Sequence, residues 1–229
     1  MAKNKITRKQ LLKEPDEFLT ITGQLIGWAK DHTRAVIWAG AVLLVLVIGL
    51  SSYGYVHNRH ANTAEILLGQ AVTKYQSVLE AKDATAALAA VRSDFDTLIG
   101  SYGRLPGGRL GNLIYGHICL AGQAYDDAIA HYMAALSYYG AESSLGNIIL
   151  NGLGTAYLQK GEYPQAVEQF KRLVANTSTV LKDNALFNLG HLYKQLGQAE
   201  ESQKAYQQLS ADFPQSMYAT LAKEETAGS

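Results

Sequence analysis

Two patterns of apolar residues divide this chain. From Ala35 to Val56 the residues are almost continuously apolar, and no Asp, Glu, Lys, Arg or His interrupts them. From residue 57 onward the apolar positions instead recur at intervals of three and four. That spacing predicts a series of amphipathic helices, and no run of strict alternation is long enough for a strand. The chain therefore reads as all-α, with one continuously apolar helix followed by helices that each have one apolar face.

The apolar stretch is long enough to cross a bilayer. Its 22 residues give about 33 Å of helix, against a hydrocarbon core of about 30 Å. Trp38 lies near one end, with Tyr53 and Tyr55 at the other, where amphipathic rings prefer to sit at headgroup level. Gly40, Gly49 and Gly54 are tolerable there, because a helix in lipid cannot surrender its backbone bonds to water. A buried core helix should show a polar face, and this stretch has none. A cleaved signal peptide is the sharper competitor, with Ser51-Ser52 as a small-residue site. Its apolar region would normally be 7–15 residues after a short leader, whereas 34 residues precede this one. An uncleaved anchor is the favoured reading.

Charge next to the span gives it a direction. Residues 1–34 carry seven Lys/Arg and four acids, whereas only Arg59 lies close beyond the far end. The positive-inside rule then places the N-terminus in the cytoplasm and residues 57–229 outside it, which in a bacterium is the periplasm. Within 1–34, Phe18, Ile21, Leu25, Trp28 and Ala29 recur at helical spacing after a start at Pro15-Asp16. They predict either an interfacial helix on the cytoplasmic leaflet or a plain extension of the spanning helix. Residues 1–13 read as basic and disordered. The outer part, with 13 Lys/Arg and 16 Asp/Glu, has a slight negative balance that gives no reason to expect nucleic acid.

Self-comparison finds repeats in the outer part. Leu153-Gly154, Tyr157, Gly161, Ala166 and Phe170 recur 36 positions later as Leu189-Gly190, Tyr193, Gly197, Ser202 and Tyr206, with Pro214 closing the copy. A weaker copy lies 38 positions upstream at Gly116, Cys119, Ala128 and Tyr132. Each unit predicts a helical hairpin. A glycine lets the second helix approach, Gly161 or Gly197 ends the first helix, and the late aromatic plugs the interface to the next hairpin. Such hairpins stack, since none can bury its apolar face alone. Residues 57–106 predict a divergent hairpin. Its two stripes are Ala64 to Leu79 and Ala87 to Ile99, with Asp83 at the N-cap position between them. The breaker-rich stretch Gly100–Gly108 predicts a separating loop. Met217, Ala219, Leu221 and Ala222 predict a capping helix, with a tail from Glu224 that frays.

This pattern resembles the tetratricopeptide repeat family over residues 107–214. It departs at the family's helix A tryptophan, where Ile149 and Ala185 stand. The resemblance implies an α-solenoid of about four hairpins, divided as 1–34 cytoplasmic, 35–56 spanning, 57–106 divergent hairpin and 107–229 repeats with cap. It also implies a concave groove lined by helix A residues: Asn151, Thr155 and Leu158 (flanked by Ile148 and Gln159), then Asn184, Phe187, His191 and Lys194 (with Gln195). The upstream equivalents are Leu110, Leu113, His117, Leu120 and Ala121. The layout is similar to that of single-span bacterial inner-membrane members, a group that includes the ancillary subunit of the Sec translocon. It implies a membrane-tethered module that binds secreted or envelope proteins, chaperone-like and near the translocon, or else a scaffold subunit of an envelope complex.

Candidate chemistry adds little. The six histidines lack the HExxH spacing of a metallohydrolase, and His57 and His60 alone make a weak metal pair. The glycine pairs precede no Gly-Lys-Ser/Thr, so phosphate cradling is not indicated. Cys119, the one cysteine, sits on an apolar face and reads as a buried small hydrophobe. The expectation is a non-enzyme without metal or cofactor, whose groove mixes apolar and neutral polar residues suited to extended or partly unfolded chains.

Overall fold

The structure, a computed structural model, describes residues 17–227. The basic stretch 1–13 and the Pro15-Asp16 helix start lie outside the described residues. Ten helices follow in order among the described residues: α1 (Glu17–Asp31), α2 (Thr33–Ala81), α3 (Ala84–Tyr102), α4 (Pro106–Ala121), α5 (Tyr125–Tyr139), α6 (Ser144–Lys160), α7 (Tyr163–Ala175), α8 (Lys182–Gln195), α9 (Ala199–Asp212) and α10 (Met217–Ala227). No strand occurs among the described residues. The chain divides into two compact units at Asn58/Arg59, inside the long helix α2.

In the first unit, α1 ends at Asp31, and the amide of His32 still bonds the carbonyl of Trp28 at 2.9 Å. The amide of Val36 in turn bonds the His32 carbonyl at 3.0 Å. Helical bonding therefore carries across the junction. α2 is long and apolar enough to cross a membrane, with a mean hydropathy of 2.4 in its most apolar window. The side chains there are exposed, Leu43, Val45 and Leu50 among them.

The second unit is a row of helical hairpins: the last part of α2 with α3, then α4/α5, α6/α7 and α8/α9, closed by α10. Asp83 caps α3 as its position predicts, with Oδ1 accepting the Ala86 amide at 2.8 Å. Gly161 and Gly197 end α6 and α8 at φ +83° and +72°. The amides of Gly161 and Glu162 bond back to Leu158 and Tyr157, and those of Gly197 and Gln198 to Lys194 and Tyr193, which satisfies carbonyls the helix leaves open. After α4 the same turn forms with a residue other than glycine in the left-handed position, one place after Gly122. Gln123 takes φ +61°, and Gln123 and Ala124 bond to Leu120 and Cys119.

The repeated glycines have a specific task. A Cβ on Gly154 would lie 2.7 Å from the Phe170 ring, and one on Gly116 would lie 2.9 Å from the Tyr132 ring. Gly190 stands against Tyr206 in the same way. Each pair is 16 residues apart, so one contact recurs in all three hairpins. Tyr132 is also pressed by Gly152 of the following hairpin, so its ring fills the space between two repeats, as the repeat pattern predicts.

The breaker-rich stretch differs from expectation. α3 runs to Tyr102, the connection is only 103–105, and α4 starts at Pro106. Gly107, Gly108 and Gly111 lie inside α4 and are buried. They serve close packing: Gly107 meets the backbone of Ala64, and Gly111 meets Leu98. The tail differs as well, since α10 stays helical to Ala227, where Glu225 is paired with Lys194 at 2.8 Å. Buried Asn147 ties the link between α7 and α8 to α6, donating to the carbonyls of Ser178 at 3.2 Å and Val180 at 2.8 Å.

Two substitutions test these assignments by urea unfolding of the full chain in detergent. Gly154→Ala forces the fully buried Phe170 ring to move. An overpacking cost of about 1–3 kcal/mol against a helix-propensity gain of ~1 kcal/mol leaves a net destabilisation. Gln123→Gly removes a left-handed side chain and stabilises by about 1 kcal/mol.

Candidate protein-binding groove

The candidate groove residues lie on two successive first helices, α6 and α8. Helical spacing puts Asn151, Thr155 and Leu158 on one face of α6, and all three are half-buried. The Thr155 hydroxyl donates to the Asn151 carbonyl at 2.8 Å and so is satisfied locally. Asn151 Oδ1 is buried and accepts no hydrogen bond from the protein. Leu158 packs against the cluster built on Phe170, Leu173 and Leu189.

On α8, Asn184 and Phe187 are half-buried, whereas His191 and Lys194 are exposed. Asn184 accepts twice from Asn188 Nδ2, at its carbonyl and at Oδ1, both at 3.0 Å. Phe187 stands 6.0 Å from the Tyr206 ring and 5.5 Å from the Tyr218 ring. Lys194 Nζ pairs with Glu225. Two of the seven residues thus touch α10, and Asn151, Thr155 and Leu158 remain a separate group on α6.

Upstream, α4 departs from expectation at one position. Leu113 is buried in the core with Phe95, Tyr115 and Ile118 rather than lining a surface. His117 is exposed, and its Nδ1 is paired with the Tyr132 hydroxyl. An apolar cleft of about 570 Å³ runs between α2 and α4, bordered by Leu68, Val72, Leu110 and Tyr139. A second cleft, of about 450 Å³, lies among α8, α9 and α10 and is bordered by Lys194, Ser202, Tyr206 and Glu225.

Three buried groups of the first hairpins, Tyr115, Cys119 and His131, are shifted toward their neutral forms by packing. Tyr115 stacks on Phe95 with ring centres 4.6 Å apart, and burial pushes its hydroxyl pKa up. Burial likewise pushes the Cys119 thiol up to about 12, and Asp127 adds to the effect. A thiol so placed is a poor nucleophile at neutral pH. Burial lowers the His131 pKa, and His131 Nδ1 donates to Asn112 Oδ1 at 3.1 Å. Among the described residues no group of three His, Cys, Asp or Glu side chains could hold a metal ion.

A family model for the tetratricopeptide repeat-like domain matches residues 27–223. The chain belongs to that family. Its members' fold implies binding to other proteins, so this chain is a protein–protein interaction module. A solved tetratricopeptide repeat protein from Parabacteroides merdae superposes with a TM-score of 0.55 at 17% identity, over 69% of this chain. This chain covers 57% of that structure's length, and the likeness is one of fold. MamA (TM-score 0.44, 21% identity, 59% of this chain and 81% of that one) and PilF of Pseudomonas aeruginosa (0.34, 16%, 74% and 99%) are more distant. No curated protein matches.

Sequence reasoning found the repeat glycines and aromatics but missed Tyr218 and Glu225, because a pairing between helices depends on how they stack. The buried state of Cys119 has a direct readout. A thiol reagent added to the folded chain at neutral pH leaves Cys119 unmodified, and denaturant makes it react at the rate of a free thiol.

Proposed function

We propose that this tetratricopeptide repeat-like protein is a single-span protein of the bacterial inner membrane that holds its repeats in the periplasm and binds secreted or envelope proteins near the translocon. The span reading is supported by the uncharged stretch of α2, whose large apolar side chains are exposed. Its orientation rests on the excess of Lys and Arg before it. Ile21, Leu25, Ile26 and Trp28 of α1 are exposed, which suits a helix lying along the cytoplasmic leaflet.

The observation that carries the binding reading is Asn151. Its Oδ1 is a buried acceptor without a partner, and a buried polar atom left so is costly. Rotation of the Asn151 amide toward the open face would present Oδ1 to a backbone N–H of an extended client chain, a pairing that demands no particular side chain. Its α6 neighbours, Thr155 and Leu158, are neutral, and the exposed His191 on α8 adds a polar group. This mixture suits chains of varied sequence that are not yet folded. A tether at the membrane raises the local concentration of groove and client, so weak contacts suffice. The chaperone-like role follows from that combination.

Site-specific photocrosslinking from His191 to nascent secreted chains tests this reading. Asn151→Ala removes about 1 kcal/mol of hydrogen bonding, so crosslinking falls about fivefold while helicity and thermal unfolding stay the same. Unchanged crosslinking would overturn the groove assignment. Recovery of one partner at fixed stoichiometry, in place of many clients, would assign the protein to a scaffold of an envelope complex.

A further inference from the structure

The last groove section already holds a helix, and the fit shows what it selects. Phe187 and Lys194 lie seven residues apart on α8, and Tyr218 and Glu225 lie seven apart on α10. Phe187 meets the Tyr218 ring at 5.5 Å, and Lys194 Nζ meets Glu225 Oε2 at 2.8 Å. Both contacts have the same offset of 31, so the helices run parallel in matched register, with an aromatic contact at one end and an ion pair two turns away. Ser216, just before α10, adds a hydrogen bond to Asp183 Oδ2 at 2.7 Å.

α10 fills this place poorly. Its fully buried side chains are Ala219 and Ala222, whereas Met217 is 69% exposed and Leu221 38%. Every hairpin from α4 to α9 instead buries a large aromatic ring, Tyr132, Phe170 or Tyr206. The Tyr206 hydroxyl, on a side chain that is 3% exposed, finds no hydrogen-bond partner in the protein. The cleft of about 450 Å³ beside it, open between Ser202, Lys194 and Glu225, is left unfilled by α10. An element with so little buried apolar surface is the one expected to open first.

We propose that α8 and α9 form a helix-receiving slot, that α10 is its displaceable occupant, and that the slot's partner is an amphipathic helix of another protein bearing an aromatic residue and, seven positions later, a carboxylate. The aromatic replaces Tyr218 on Phe187, and the carboxylate replaces Glu225 on Lys194. A larger side chain between them fills the cleft and brings a polar atom to the Tyr206 hydroxyl. The idea rests on the protein-binding reading above but uses a different section of the array from Asn151, so either can fail alone.

The probe is a synthetic labelled peptide of residues 213–227, added to the full chain in detergent. A chain carrying Tyr218→Ala and Glu225→Lys vacates the slot and binds this peptide at least about tenfold more tightly than the unsubstituted chain does, because the competing helix is weakened. A peptide carrying the same two substitutions does not bind. Amide exchange of the unsubstituted chain gives an independent readout, with α10 at least about tenfold less protected than α8. Three results would overturn the proposal. One is equal protection of α10 and α8. Another is loss of α8 protection in the doubly substituted chain, which makes α10 part of the fold. The third is a concentration-dependent dimer of the unsubstituted chain in which copies exchange α10, which assigns the slot to a second copy.

Discussion

The hairpins depend on one contact, an aromatic ring of the second helix set against a glycine of the first. At Gly116 and Tyr132, Gly154 and Phe170, and Gly190 and Tyr206, the missing Cβ is what admits the ring. The arrangement trades local helix preference for packing. A glycine inside a helix costs about 1 kcal/mol relative to alanine, and a fully buried ring returns more than that through the apolar surface it removes from water. The small residues on the second helices belong to the same solution. Ala128 and Ala166 are fully buried, and Ser202, in the equivalent place, gives its hydroxyl proton to the Gly190 carbonyl at 2.7 Å.

Much of this was legible in the sequence, because close packing demands particular residue types at fixed spacing. The repeat offsets of 36 and 38 identified the three glycine–aromatic hairpins, and Gly161 and Gly197 marked helix ends that do adopt left-handed backbone. Where reasoning went astray, one residue type served two purposes. Gly107 and Gly108 read as loop formers, yet they lie inside α4, where its backbone passes close to α2 and α3. Gln123 shows the reverse case, since it takes the left-handed position while the adjacent Gly122 does not. Leu113 read as a groove residue by its place in the repeat, but the divergent hairpin before it brings Phe95 close enough to cover it.

The groove itself was less legible than the fold. Its residues are defined by which face of a helix stays open, and that depends on the neighbouring helix. Asn151 and Phe187 occupy equivalent positions in successive repeats, yet one has an unpartnered side-chain amide oxygen and the other lies under a tyrosine from α10. The long apolar stretch stands at the other extreme, because composition alone specifies a helix without a polar face.

Tyr132 is held by glycines on both sides, Gly116 in its own hairpin and Gly152 in the next. The residue equivalent to Gly152 in the following repeat is Asn188, so this interlock is not repeated. The α4/α5 and α6/α7 hairpins share a ring that neither can release alone, whereas the later junction lacks such a key. Cooperativity along the array is therefore uneven. The later junction is joined instead by the apolar cluster that Leu150, Phe170 and Leu173 form with Leu189 and Leu192, so the α4/α5 and α6/α7 hairpins are locked by shape, and the α6/α7 and α8/α9 hairpins are held together by shared burial.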